Sequence, residues 1–186
     1  RYSGEPAAAP LAPEGLFVAP DAFEDGFVAA ALQGGTVTVT GPRGPDLLDV
    51  IVEHEGRRVP AVFMARKDDA ARREVAAYRL DRKLGLGLVP VTVAREVQGQ
   101  SGVVQARPAK WLTQADVQKQ SVRGGGWCAL EPQFQLVYAF DGLVGNEGRT
   151  LESLVLDSED WFVFATDHQR SFGASKSLPA YLKAQP

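Results

Sequence analysis

Thr36-Val37-Thr38-Val39-Thr40 alternates polar and apolar positions with period two, which predicts a half-buried strand closed by Gly41-Pro42. Two more β-rich runs, Leu47 to Glu53 and Arg58 to Met64, flank Glu55-Gly56, so the three together predict an antiparallel meander. From Asp68 to Leu84 the period changes. Strong helix formers follow an Asp-Asp start, Ala77, Leu80 and Leu84 stand at i, i+3 and i+7, and Gly85 ends the run. Leu88 to Val93 and Gly102 to Gln105 then read as two strands joined through Gln98-Gly99-Gln100. Residues 106–130 read as irregular, Phe134 to Val144 as a buried helix, and Gly145 to Thr150 as a loop. Leu154-Val155-Leu156 and Trp161 to Ala165, separated by the polar turn Asp157-Ser158-Glu159-Asp160, predict a hairpin. Upstream, Phe17, Phe23 and Phe27 suit a short helix beginning near Pro20-Asp21, with Asp21 as cap.

Composition narrows the class. Residues 1–15 carry three prolines and several alanines with little to bury, the make-up of a semi-rigid linker, so one folded domain is expected over 16–186. With 45% hydrophobic and 23% charged residues the chain is an ordinary globular sequence, and no apolar run approaches the ~20 residues needed to cross a bilayer. A net charge of −3, with bases interleaved among acids as in Arg72-Arg73-Glu74 and Asp81-Arg82-Lys83, argues against nucleic acid as the main partner. The single cysteine, Cys128, excludes an internal disulfide framework and a multi-cysteine zinc site; with no histidine and carboxylate in its sequence context it is assigned no chemistry. A chain that begins at Arg1 is expected to be part of something longer, and its compartment, cytoplasmic or exported, stays open.

Two motifs carry a resemblance. Glu74-Val75-Ala76-Ala77-Tyr78-Arg79-Leu80-Asp81-Arg82-Lys83-Leu84-Gly85-Leu86, followed by Val89-Pro90, resembles the helix-and-strand signature of atypical kinases related to phosphoinositide kinases, HipA-like kinases and Four-jointed-type secretory kinases. Phe140-Asp141-Gly142-Leu143-Val144-Gly145-Asn146-Glu147-Gly148-Arg149, with Asp167-His168-Gln169-Arg170-Ser171-Phe172 downstream, resembles their catalytic loop and metal-binding segment. The resemblance spans roughly residues 20–178. It implies an α+β, small two-lobed kinase-like fold: a β-rich N-lobe with one long helix to about residue 106, then a C-lobe with a buried helix and a hairpin.

Phosphoryl transfer depends on positioning and charge: a lysine on the phosphates, a carboxylate at the attacking hydroxyl, and metal ligands. The resemblance places Met64 at the phosphate lysine, and a thioether neutralises no phosphate. It places Gly148 at the catalytic aspartate and Ser153, a poorer magnesium ligand than an amide carbonyl, at the metal asparagine. Glu74 matches the helix glutamate and Asp167 the metal aspartate, so these two are what remains of a nucleotide cleft. Lys67 reads as a solvated lysine beside Arg66 and Asp68, and His168 as a structural hydrogen-bonding group, since the only other histidine is the distant His54. Gly34-Gly35 precedes a strand without a GxGxxG pattern and reads as relief of turn strain.

Three readings follow. The first is a catalytically inactive kinase-like domain, a pseudokinase, that binds a protein partner and needs no cofactor. The second is an active phosphotransferase using Mg-ATP through Lys67, Glu147 or Asp141, and Asp167. The third is a scaffold module of a larger envelope or regulatory protein. Met64, Gly148 and Ser153 departing together favour the first.

Overall fold

A computed structural model of the chain describes residues 25–122, 129–174 and 177–184. The linker expected over 1–15, the cap at Asp21 and Cys128 lie outside the described residues.

The protein is a mixed α+β structure with a five-stranded and a three-stranded antiparallel sheet. Helix α1 (Asp25–Gly34) leads into β1 (Thr36–Gly44), β2 (Leu47–His54) and β3 (Arg57–Ala65), the expected meander. Helix α2 (Asp68–Leu84) crosses to β4 (Thr92–Val97) and β5 (Gln100–Ala106), and β5 inserts between β3 and β4, giving the order β1-β2-β3-β5-β4.

Turn chemistry fixes these hairpins. Glu55-Gly56 and Gln98-Gly99 both hold positive φ at two successive residues, the backbone that matches the twist of the flanking strands. β1 continues past Gly41-Pro42, where it was expected to stop, by shifting register between Val39 and Gly41 and again between Pro42 and Gly44. Pro42 is tolerated because β1 is an edge strand whose outer side needs no ladder donor. β4 begins only at Thr92, because Pro90 supplies no N–H to a ladder.

α2 has the expected bounds and ends on Gly85 in the left-handed region (φ 66°), whose N–H bonds back to the last turn. Its buried face includes Ala77 and the half-buried Leu80, as expected, but extends over two acids and leaves out Leu84. Ala71, Glu74, Ala77 and Asp81 are buried, while Leu84 is 46% exposed. Asp81 accepts from Leu88 N–H at 2.9 Å and pairs with Arg82, which also pairs with Asp25 of α1. Burial raises the Asp81 pKa to about 6 against the pull of Arg82.

The segment expected to be irregular holds two further elements, β6 (Trp111–Thr113) and α3 (Gln114–Gln120). β6 pairs with β7 (Leu154–Asp157), some forty residues on, so no local pattern announces it. α3 carries a capping box in which Thr113 Oγ1 accepts from Asp116 N–H and Asp116 accepts from Thr113 N–H, each at 3.0 Å. Helix α4 (Leu130–Val144) starts one turn before the expected helix, with Pro132 in its first turn, where a missing N–H costs nothing. β7 and β8 (Val163–Ala165) form the expected hairpin, and a short 3-10 turn (Ala180–Ala184) closes the described chain.

Three apolar clusters hold these parts together. Ala31 and Leu32 of α1 cover one face of the large sheet against Val50, Val52, Ala61, Phe63 and Val104. The opposite face carries Val62, Met64 and Val103 with Ala71 of α2, and Trp111 packs against it. Val137, Phe140 and Val144 of α4 meet Leu154, Leu156 and Val163, with Ala77 of α2 joining from the other side. α2 therefore contributes to both halves, and the polar groups on its buried face lie between them.

Candidate functional site

Glu74, expected as the helix glutamate of a residual nucleotide cleft, is fully buried. Its Oε2 accepts from the His168 backbone N–H at 2.9 Å, linking α2 to the segment after β8, and its Oε1 has no hydrogen-bond partner. Burial pushes its pKa up from 4.5 to about 7; the backbone bond from His168 and the nearby guanidinium of Arg66 oppose this, and the Asp167 carboxylate adds to it.

Asp167 follows β8 in the left-handed backbone region (φ 59°), an uncommon state for a non-glycine residue. Its Oδ1 lies 3.6 Å from Arg66 Nη2. Arg66 follows directly on β3, so the last turn before α2 supplies a cation to a carboxylate from the other end of the chain.

The other motif residues form a second, denser group. Asp141 sits on the buried face of α4 and accepts a two-pronged pair from Arg149: Nε to Oδ2 at 2.7 Å and Nη2 to Oδ1 at 2.8 Å. Asn146 Nδ2 donates to Asp141 Oδ1 at 3.1 Å, while its own Oδ1 accepts from Gly148 N–H at 3.0 Å. Tyr181 Oη lies 2.9 Å from Asp141 Oδ2 and 3.0 Å from the Asn146 carbonyl, so its one proton serves one of the two. Burial and the adjacent Asp141 carboxylate both raise the Tyr181 pKa. Arg149 Nη1 reaches the Thr166 carbonyl and, at 3.0 Å, the Ser153 carbonyl, tying the loop after α4 to β8.

His168 is fully buried against the edge of Phe140. Its Nε2 lies 3.1 Å from Arg149 Nη2, which can only donate, so Nε2 accepts and Nδ1 carries the ring proton. Burial, then the charge of Arg149, lower its pKa to about 3. The ring is neutral, and its 3.9 Å approaches to Glu74 and Asp141 are not ion pairs.

The remaining residues singled out in the sequence fall as follows. Met64 is buried among Val62, Val103 and Ala71. Lys67 is the exposed N-cap residue of α2, and Glu147 is exposed. A Cβ on Gly148 would stand 3.1 Å from the Arg170 side chain. Ser153 Oγ accepts from Thr150 N–H and from Arg149 and donates to the Thr150 carbonyl, which commits the hydroxyl entirely. A Cβ on Gly35 would stand 2.6 Å from the Glu53 carbonyl, so this glycine serves a close backbone approach.

The structure thus brings Glu74, Asp167 and His168 together, with Asp141, Asn146, Arg149 and Ser153 behind them. Met64 and Lys67 stand apart from that group. Sequence reasoning missed Arg66, Arg107, Trp111 and Tyr181. Trp111 lies under two guanidinium groups, Arg43 at 4.3 Å and Arg107 at 5.6 Å from its ring centre. Arg107 Nη1 donates to Gln105 Oε1 at 2.6 Å, and burial lowers the Arg107 pKa to about 10, which leaves it charged at neutral pH. No helix among the described residues is long and apolar enough to cross a membrane.

No protein-family model matches the chain, and no curated protein matches its sequence. Among solved structures, Cex1p is 14% identical with a TM-score of 0.42, covering 71% of this chain and 26% of its own. WaaP in complex with acyl carrier protein is 16% identical with a TM-score of 0.38, covering 90% of this chain and 76% of its own. The chain spans about a quarter of the length of Cex1p. Likenesses this slight carry no argument about this protein.

Proposed function

We propose that the chain is a kinase-like domain that has lost phosphotransfer and acts by binding another protein. The observation that carries this reading is the commitment of its remaining polar groups to one another. The carboxylate expected to hold a metal, Asp167, has Arg66 beside it, and a divalent cation there would meet a resident positive charge. Ser153 has spent its hydroxyl on Thr150 and Arg149, Gly148 offers no carboxylate, and Met64 is enclosed in an apolar cluster.

Between the two sheets, where the sequence resemblance puts a nucleotide, Trp111 packs against the Met64 face with Arg43 and Arg107 over its ring. A strand order of β1-β2-β3-β5-β4 with a helix between β3 and β4 fits a kinase-like N-lobe. The alternative machinery fares worse. Lys67 and Glu147 point to solvent, and Asp141 is buried with both oxygens occupied. A protein partner suits the apolar surface around the end of α4. There Leu143 is 63% and Leu178 57% exposed, and the exposed Phe172 bonds its N–H to the Val144 carbonyl.

The test is a calorimetric titration with ATP, with and without magnesium. A ligand that binds only the folded state also raises thermal stability in proportion to RT ln(1 + [L]/Kd). The reading expects no heat and no thermal shift at millimolar nucleotide. Magnesium-dependent binding that Asp167→Ala abolishes would overturn it.

A further inference from the structure

Among the described residues, four buried side-chain atoms without a hydrogen-bond partner meet in one place: Arg66 Nε, Glu74 Oε1, Asp167 Oδ1 and His168 Nδ1. They lie where α2 meets the end of β3 and the segment after β8. A buried polar group left unmade costs about 1–3 kcal/mol, so such a cluster marks an arrangement that a small movement can improve.

The cluster holds two carboxyl groups, each with an unfilled oxygen, and one guanidinium with an unfilled N–H. Arg66 faces Asp167 at 3.6 Å, too long for a hydrogen bond, and its charge also acts on Glu74. The other charged groups around Glu74 are engaged. Arg149 is held by Asp141, and Arg73 Nη1 donates to the Gln169 carbonyl at 3.3 Å. Arg107, whose charge couples to Glu74 from the end of β5, holds Gln105 and the Ala106 carbonyl through Nη1, while its buried Nε has no hydrogen-bond partner. His168 presents an uncharged ring 3.9 Å from Glu74 Oε2.

We propose that Arg66 is a two-position clamp that rests against Asp167 while Glu74 carries a proton and turns to Glu74 Oε1 when that carboxyl ionises. Ionised Glu74 is a buried charge beside a second negative charge, and the cation that acts on it most strongly is the guanidinium already beside Asp167. Turning it fills Glu74 Oε1, leaves the His168 N–H bond to Oε2 in place, and frees Asp167. The link between α2 and the segment after β8 then stays closed across neutral pH while the partner of Asp167 changes. The inference concerns regulation of the site assigned above, and a titration without nucleotide tests it apart from that assignment.

The experiment is an NMR titration of the whole chain from pH 5 to 9, following the Glu74 and Asp167 carboxyl carbons and the Arg66 Nε–H. His168 is neutral throughout that range, and Asp81, which titrates near 6, is paired with Arg82 at the other end of the helix. The expected result is one shared midpoint for all three signals, well above the ordinary carboxyl value of 4.5. In Glu74→Gln the Arg66 and Asp167 signals are expected to stay at their low-pH values across the range. In Asp167→Asn, which removes the competing carboxylate, the Glu74 midpoint is expected to fall by about one pH unit. An Arg66 signal that stays flat while Glu74 titrates would overturn the proposal, as would an unchanged Glu74 midpoint in Asp167→Asn.

Discussion

Glu74 and His168 lie side by side on opposite elements, and burial moves their proton equilibria in the directions that keep both uncharged. The consequences for stability have opposite signs. A carboxyl raised from 4.5 to about 7 holds its proton in the folded chain, so Glu74 makes the fold less stable as pH rises through that window. A histidine lowered from 6.5 to about 3 makes the fold less stable as pH falls through its own window. Glu74→Gln should therefore gain stability over the parent on going from pH 5 to pH 8, by about 2 kcal/mol in urea unfolding. Parallel pH profiles would show that Glu74 does not titrate as a buried acid.

Arg149 makes a sharper case. Its guanidinium satisfies Asp141 at two points and holds the Ser153 and Thr166 carbonyls, so Arg149→Met strands a buried carboxylate. The expected loss is about 3–5 kcal/mol, partly recovered by adding Asp141→Asn. A loss below 1 kcal/mol would contradict the network.

Among elements, the pairing of β3 with β5 sets the position of Arg66, because β3 ends beside Gly102. A Cβ on Gly102 would stand 2.2 Å from the Met64 carbonyl, so the two strands approach only because that residue is glycine. Gly102→Ala should destabilise the protein by more than Gly85→Ala, where a left-handed cap costs about 1 kcal/mol. Equal losses in thermal or urea unfolding would mean the strands can separate freely.

The elements legible in the sequence were those whose signal is local. Thr36 to Thr40, the Glu55-Gly56 turn and the run from Asp68 to Gly85 each announce themselves within a few residues. β6 was hidden because three residues paired to a distant strand leave no periodicity, whereas the Thr113 to Asp116 capping box of α3 was there to be read. On α2, the apolar spacing found Ala77 and Leu80, which pack into the core, but not Leu84, which is exposed, and it gave no sign of Glu74 and Asp81. Two acids share the buried positions with Ala71 and Ala77, and nothing in a helical pattern distinguishes a buried glutamate from a solvated one.

At the scale of the whole molecule, the two motifs that carry the resemblance are brought together. The helix motif supplies Glu74, the loop motif supplies Asp141, Asn146 and Arg149, and the segment after β8 joins them through His168. The residues that occupy the space between the sheets, Arg66 and Trp111, belong to neither motif, so sequence resemblance could not reveal them. They lie at the ends of strands, where the register of two different sheets decides what they face.

The central claim is that these groups no longer transfer phosphate. The direct measurement is release or transfer of labelled γ-phosphate from ATP by the purified chain, with magnesium and with manganese, beside a protein-free control. The account predicts rates indistinguishable from the control in the parent and in Asp167→Ala alike. Turnover in the parent that Asp167→Ala or Glu74→Ala removes would contradict it and restore the site as a working phosphotransferase.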